Sequence, residues 1–292
     1  MNGTIVNVLQ ISPNYRSKDF RPSFSRLAEL RSLIPSSAPC MACTATATKS
    51  VREEVTRNLE MEECVYVSVS PDRPNIYYEV RRRTDIESDF ADLVSVLREK
   101  GTSSPRVIVY CQSLSRCSDL FAHFLCRLGP LSHYPADAAE IAENRIFGMY
   151  HSCTPQHNKH VILESLRDPS GKVRVVFATV ALGNGIDLQD VNTVIHQGSP
   201  QSLEDYFQES GRGGRSGCRA RSIIYWKPRD CPVKVQPTTT RDQELIDVRR
   251  FLENDTECRR KVLLSYFDMS FTPSERESDK CCDVCSSKLL TW

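Results

Sequence analysis

The stretch QESGRGGRSG, Gln208 to Gly217, sets Arg212 and Arg215 three positions apart among glycines, and the arrangement suits an anion. A guanidinium is planar, permanently charged and able to bridge two phosphate oxygens. Gly211, Gly213 and Gly214 let the backbone turn tightly enough to present such a pair. The second chemical cluster lies near the other end, where Cys258 is followed by Cys281, Cys282 and Cys285. Thiolates at such spacing can close a tetrahedral site on Zn²⁺.

The rest of the composition is neutral ground. The 292 residues are 40% hydrophobic, enough for real cores, and 38 Lys+Arg balance 37 Asp+Glu. No global field draws the chain to nucleic acid or a membrane, so any basic site is local. No apolar run approaches a membrane span, and MNGTIVNVLQISPNYR lacks the pattern of a signal peptide, which leads us to expect a soluble, intracellular protein without membrane contact. There are 13 cysteines, an odd count. Without an export signal reduced thiols are the default, and Cys40, Cys43, Cys64, Cys111, Cys117, Cys126 and Cys153 read as small core residues in apolar or mixed runs.

Elements that would position these groups follow from periodicity. Helices are predicted over 23–33 and 49–59, with a short strand over 40–46 between them. VSVSPDRPNIYYEV, where two prolines bracket Arg73, reads as an extended connector and a domain boundary. Beyond it helices (85–99, 113–128, 156–166) alternate with short apolar strands (106–111, 145–150, 173–179, 191–198, 221–226), and a short helix over 202–207 precedes the arginine loop. Such alternation predicts a parallel sheet covered on both faces, with functional loops beyond the carboxyl ends of its strands. GPLSHYPADAAEIAEN reads as a surface excursion, and two helices, 241–253 and 256–267, precede the cysteine cluster.

Taken in order, TATAT (Thr44–Thr48), CQSLSRC, MYHSC, ATVALGNGID, VIHQGSP and DYFQESGRGGRSG resemble the motifs of superfamily 2 helicases in the version carried by the RecQ family of DNA helicases. DFRPSFSRLAELRSLIP and SPDRPNIYYEV resemble the family's segment before motif III and its link between domains, so the resemblance covers nearly the whole chain. It implies an α/β fold: part of a first RecA-like domain over 1–75, a second RecA-like domain over 76–227 and a small helical zinc-binding subdomain over 228–292. It implies ATP with Mg²⁺ bound between RecA-like domains, single-stranded DNA and duplex junctions as partners, movement in the 3′ to 5′ direction, and a place in the nucleus.

By resemblance, Arg212 and Arg215 reach the ATP phosphates and Gln208 helps position them. Gly183 and Gly185 allow close approach to the nucleotide, and Asp187 meets its ribose or a loop arginine. Asn184 stands where the family more often has Met, and a simple turn is the other reading of Gly-Asn-Gly. Thr44, Thr46, Gln112, Ser113, His151 and Thr179 are candidates for contacting nucleic-acid phosphates. Ser113 is equally well placed as a helix cap, and a single histidine such as His151 or His196 is commonly structural. ECRRKVLLSYF followed by KCCDVC resembles the family's zinc subdomain, with Cys258, Cys282 and Cys285 as ligands. The family's remaining cysteine would fall at Asp279, which leaves adjacent Cys281 or the Asp279 carboxylate as the fourth ligand.

A phosphate-cradling G-x-x-x-x-G-K-[ST] loop and an acidic DExH box do not occur in these residues; Gly171-Lys172 has Leu166 where the first glycine belongs. The expectation is a chain that begins partway through the first RecA-like domain, from a truncated product or a partial gene, and that hydrolyses no ATP by itself. An RNA helicase and a catalytically inactive nucleic-acid-binding or interaction module are the rival readings.

Overall fold

The computed structural model describes residues 7–10, 29, 40–43, 48–61, 63–67, 72–179, 182, 188, 190–234, 236–267 and 280–289. The chain divides into two compact units, 1–72 with 261–272, and 73–260 with 273–292. In the first, β1 (Asn7–Gln10) runs parallel to β2 (Cys40–Cys43). Helix α1 (Lys49–Asn58) starts at Thr48, whose hydroxyl accepts from Val51 N at 3.4 Å, and buries Val55 and Leu59 against Ala42, Val51 and Met61. All but one residue of the helix predicted over 23–33 lie outside the described residues, as do residues 44–46 of the predicted strand.

The second unit is built on a six-stranded parallel sheet. Its strands are β3 (Ile76–Arg82), β4 (Arg106–Cys111), β5 (Phe147–Tyr150), β6 (Val175–Ala178), β7 (Val191–Gln197) and β8 (Ala220–Trp226), in the spatial order β3-β8-β7-β4-β6-β5. Strand β4 lies inside the sheet and all six of its residues are buried, which is why RVIVYC is a continuous apolar run rather than an alternating one. Val107, Val109 and Cys111 enter one core with Phe124, Phe147 and Phe177, while Ile108 and Tyr110 enter the other with Ile162, Val176 and Val194.

Helices α2 (Ile86–Lys100), α3 (Leu114–Leu128), α4 (Gln156–Arg167) and α5 (Leu203–Ser210) make the crossovers. Side-chain caps at Asp85, Ser113 and Ser202 start three of them, satisfying amides that the first helical turn leaves unpaired. Within the predicted surface excursion Ser132 and His133 are buried, and His133 bridges Arg145. The last helices are α6 (Thr240–Glu253), α7 (Arg259–Tyr266) and α8 (Asp283–Leu289).

One element departs from the sequence reading: the segment read as a connector is strand β3, paired with β8 at seven positions from Ile76–Ala220 to Arg82–Trp226. The tail after Cys282 is helical, as the helical subdomain expected over 228–292 requires.

Phe177 is fully buried, with ring centroids 4.9 Å from Phe124 and 6.1 Å from Phe147. Phe177→Ala is expected to cost about 3–5 kcal/mol in urea denaturation, the range for opening an aromatic-sized cavity. A loss under about 1 kcal/mol would show that the site collapses around the gap.

Candidate arginine loop and cysteine cluster

The arginine loop is the turn between α5 and β8. Ser202 begins α5 by accepting from Asp205 N at 3.0 Å, and Glu204 and Asp205 occupy the first turn, where the helix dipole favours negative charge. At the other end Arg212 N donates to Glu209 O at 3.2 Å and Gly213 N to Ser210 O at 3.0 Å. Gly211 keeps a helical backbone, φ −64, so it does not serve the bend as the sequence reading supposed. Gly214 does: its φ is +61, and a Cβ there would lie 2.4 Å from Asn75 Nδ2.

The loop is fastened to the amino ends of three strands. Gly214 N donates to the carbonyl of Val191, the first residue of β7, at 2.9 Å. Asn75 Nδ2 donates to the carbonyls of Gly214 and Cys218, each at 2.7 Å, and Asn75 O accepts from Ala220 N at 2.9 Å. Arg73 Nη1 donates to Gly211 O. The expectation of functional loops beyond carboxyl strand ends therefore fails for this one. Helix α5 leaves the carboxyl end of β7 and returns towards the start of parallel β8, and whatever follows it must land at the amino rim.

The two arginines sit differently. Arg212 is buried and Arg215 is exposed, while Gln208 on α5 is half-buried. Tyr110 of β4 stacks on His196 of β7 with centroids 5.2 Å apart, and His196 Nε2 lies 2.8 Å from the Glu209 carboxylate, both side chains being buried. Burial pushes the Tyr110 hydroxyl well above its ordinary pKa, Glu209 adds to the rise, and the charges of Arg212 and Arg215 oppose it. Both guanidinium groups thus act on one buried polar cluster that the sheet holds in place.

The opposite, carboxyl rim carries other predicted residues. Strands β4, β6 and β5 are neighbours, so Gln112 and Ser113, Thr179 and His151 follow their ends in a row. Gln112 Nε2 donates to Ser199 O at 2.9 Å and Asp230 O at 3.1 Å, and Ser113 Oγ accepts from Arg116 N at 3.3 Å as the α3 cap. Thr179 N donates to Tyr150 O at 3.4 Å. His151 is buried, which lowers its pKa with help from nearby Lys159, and its amide donates to Thr154 Oγ1 at 3.1 Å. Thr44, Thr46, Gly183, Gly185 and Asp187 lie outside the described residues.

The Sγ atoms of Cys258, Cys281, Cys282 and Cys285 all lie within 4.8 Å of one another, with Cys258 and Cys281 at 3.4 Å. Tetrahedral zinc with bonds of about 2.3 Å separates its sulfurs by roughly 3.8 Å, so the set fits the ion. The Cys282 thiol is held far below its usual range, by hydrogen bonds from the Cys258 and Cys281 thiols and from the amides of Cys285 and Arg259. Burial pushes Cys285 up to about 12. Four sulfurs competing for one thiolate is a charge problem that a divalent cation relieves. Asp279 lies outside the described residues.

Comparison with known proteins places these features. Residues 88–217 match the helicase conserved C-terminal domain, and residues 228–286 match the RecQ zinc-binding domain. The chain belongs to the RecQ family of helicases. It is 32% identical to ATP-dependent DNA helicase hus2/rqh1 of Schizosaccharomyces pombe, over 91% of this chain and 19% of that protein. It is 33% identical to ATP-dependent DNA helicase Q1 of Mus musculus, over 91% of this chain and 38% of that protein. The chain spans 18% to 40% of the length of such curated relatives. Among solved structures, Mycobacterium smegmatis helicase Lhr bound to ssDNA and AMP-PNP superposes with a TM-score of 0.56 at 18% identity, over 85% of this chain and 30% of that one, which speaks for the RecA-like fold alone. No helix among the described residues is long and apolar enough to cross a membrane.

Sequence reasoning overlooked Arg73, Asn75, Glu209, Arg259 and Arg260. The one available signal was an arginine between two prolines followed by Asn, which reads as a connector until its partner strand is known.

Zinc analysis of the purified chain is expected to give about one ion per molecule, the stoichiometry of one four-ligand site. Cys258→Ser should lose most of it. Cys281→Ala should release the metal to a chelator while Asp279→Ala should not; the reverse order would transfer the fourth position to the carboxylate.

Proposed function

We propose that this chain is the C-terminal portion of an ATP-dependent DNA helicase that moves 3′ to 5′ along single-stranded DNA and opens duplexes. The observation that carries the reading is the arginine loop: a buried Arg212 and an exposed Arg215 on a turn fastened at Gly211, Gly214 and Cys218, in a chain of the RecQ family. The domain division is that of the sequence reading, 1–75, 76–227 and 228–292. Arg215 reaches the ATP phosphates as charge develops in transfer, Arg212 supports it from the polar cluster, and Gln208 orients the pair. Gly183, Gly185 and Asp187 complete the nucleotide contacts of this half. The G-x-x-x-x-G-K-[ST] loop and the acidic box that hold phosphates and Mg²⁺ are not in these residues, so this half supplies charge to a nucleotide held elsewhere in the enzyme.

His151, Thr179, Gln112 and Ser113 on the carboxyl rim follow the phosphates of the strand without reading bases, and Thr44 and Thr46 of the first domain are assigned the same role. Strand junctions are the substrate class and the nucleus the place of action. Cys258, Cys281, Cys282 and Cys285 hold a structural Zn²⁺ that stabilises the end of the chain. The RNA-helicase reading is not favoured, because the relatives are named DNA helicases and the cysteine cluster belongs to a RecQ zinc-binding domain.

Two measurements test this reading. The purified chain should show no DNA-stimulated ATP hydrolysis above a heat-killed control. Joined to a first domain that carries the phosphate loop, it should hydrolyse ATP, and Arg215→Ala should lower turnover by about 10³-fold, the scale of a phosphate-stabilising arginine, with ATP binding largely kept. Turnover equal to the parent's would remove Arg215 from the reaction.

A further inference from the structure

We infer that Arg260 is a strut through which occupancy of the four-cysteine site sets the order of the arginine loop. Arg260 follows Cys258 by two residues and is almost fully buried. Its Nε donates to Cys281 Sγ at 3.4 Å, a distance that includes the large radius of sulfur. The other nitrogens turn the opposite way: Nη1 donates to Arg73 O at 2.6 Å, and Nη2 to Ile76 O at 2.5 Å and Pro74 O at 3.4 Å. The guanidinium carbon stands 5.3 Å from the centroid of the Tyr78 ring, and Tyr78 N donates to Cys281 O at 3.3 Å. One rigid fork therefore joins a cysteine of the cluster to three carbonyls of the 73–76 backbone.

That short backbone is what holds the loop. Arg73, whose carbonyl Arg260 grips, donates its side chain to Gly211 O, one residue before Arg212. Asn75, between two gripped carbonyls, donates to Gly214 O and Cys218 O, on either side of Arg215. From sulfur to loop carbonyl the path is two side chains long: Cys281, Arg260, the 73–76 backbone, then Arg73 or Asn75. No lysine could replace the fork, since an ammonium is a point donor that cannot span sulfur and three carbonyls together.

The charge balance gives the path its dependence on metal. A buried guanidinium is costly unless paired. Four thiolates around one divalent ion carry a formal net charge of about −2, and they would face Arg260 through Cys281. Without the ion nothing holds the four sulfurs at one centre, and the Cys281 sulfur that accepts from the fork loses its fixed place. The consequence for ATP phosphates rests on the proposed function; the coupling itself does not.

Amide hydrogen exchange on the intact chain tests the coupling without ATP or DNA. The reporters are Gly214 N, bonded to Val191 O, and Ala220 N, bonded to Asn75 O; Val109 and Val176 amides in the sheet are controls. Removing zinc from the wild-type chain should speed exchange at both reporters on the order of tenfold and leave the controls unchanged, as expected for local opening. Arg260→Gln, zinc-loaded, should already exchange at the fast rate, with no further change on chelation. Should Arg260→Gln fail to hold zinc, Asn75→Ala, which is remote from the sulfurs, decides: it should keep the metal, expose Gly214 and make it insensitive to chelation. Reporters indifferent to chelation in the wild type, or still responding about tenfold in zinc-loaded Asn75→Ala, would overturn the strut. A loss of ATPase in Arg215→Ala enzyme with no effect of metal on the reporters would defeat the coupling and leave the proposed function standing.

Discussion

The pairing of β3 with β8 is the contact on which both candidate sites depend. Seven residues of β3 lie beside β8, which fixes where Arg73 and Asn75 arrive relative to the turn that precedes β8. The other edge of β3 would expose a row of unpaired amides and carbonyls, and an uncovered edge invites pairing with another chain. Here the cysteine segment covers it: Tyr78 bridges Cys282 in parallel, Val80 N donates to the Asp283 carboxylate at 3.0 Å, and Tyr77 hydroxyl meets Ser286 Oγ at 3.2 Å. A strand of seven residues thus has the arginine loop at its beginning and the cysteine cluster along its side.

Burial then decides how each charge is held. Arg259 and Arg260 are adjacent, both buried, and divide the surroundings between them. Arg259 Nε pairs with Asp283 at 2.5 Å and Nη1 donates to Phe251 O at 2.9 Å, which ties α7 to α8 and α6. Arg260 faces the other way, to Cys281 and the start of β3. In the same manner Arg83 meets Asp230 at 2.7 Å with both side chains buried, at the far end of β3. Such pairs add little to stability beyond their own desolvation, but removing one partner leaves a buried charge, so they fix register rather than strength.

Much of this frame was legible in the sequence, and the gaps have physical causes. RVIVYC read as a strand of a sheet covered on both faces, and Ser113 announced its helix as a cap. IYYEVRR was not recognisable as a strand, because an edge strand that alternates Tyr, Glu and Arg carries charge where inner strands carry Val and Ile, and because the preceding prolines signal a turn. Glu209 and His196 are ordinary in sequence; only the crossover of α5 over β7 brings them within 2.8 Å. The fourth zinc ligand stayed open between Cys281 and Asp279 because spacing cannot say which way a backbone bends, and the pairing of Cys282 with Tyr78 is what turns the Cys281 sulfur towards Cys258.

The two rims of the sheet offer two separate surfaces of different chemistry. Residues at the carboxyl ends of β4, β6 and β5 are spent largely on internal bonds, such as Gln112 to Ser199 and Asp230, which leaves hydroxyls and backbone amides as the surface an extended polyanion would meet. The amino rim instead carries two arginines on a turn at which Gly214, φ +61, is closed in by Asn75 and Cys218. Between the rims lie Tyr110, His196 and Glu209, buried and packed ring to ring and carboxylate to imidazole. Arg212 acts on the Tyr110 hydroxyl, and the residues after Tyr110 in the chain are Cys111 and then Gln112 on the opposite rim. The sheet is therefore the scaffold that separates the two surfaces and fixes the distance between them.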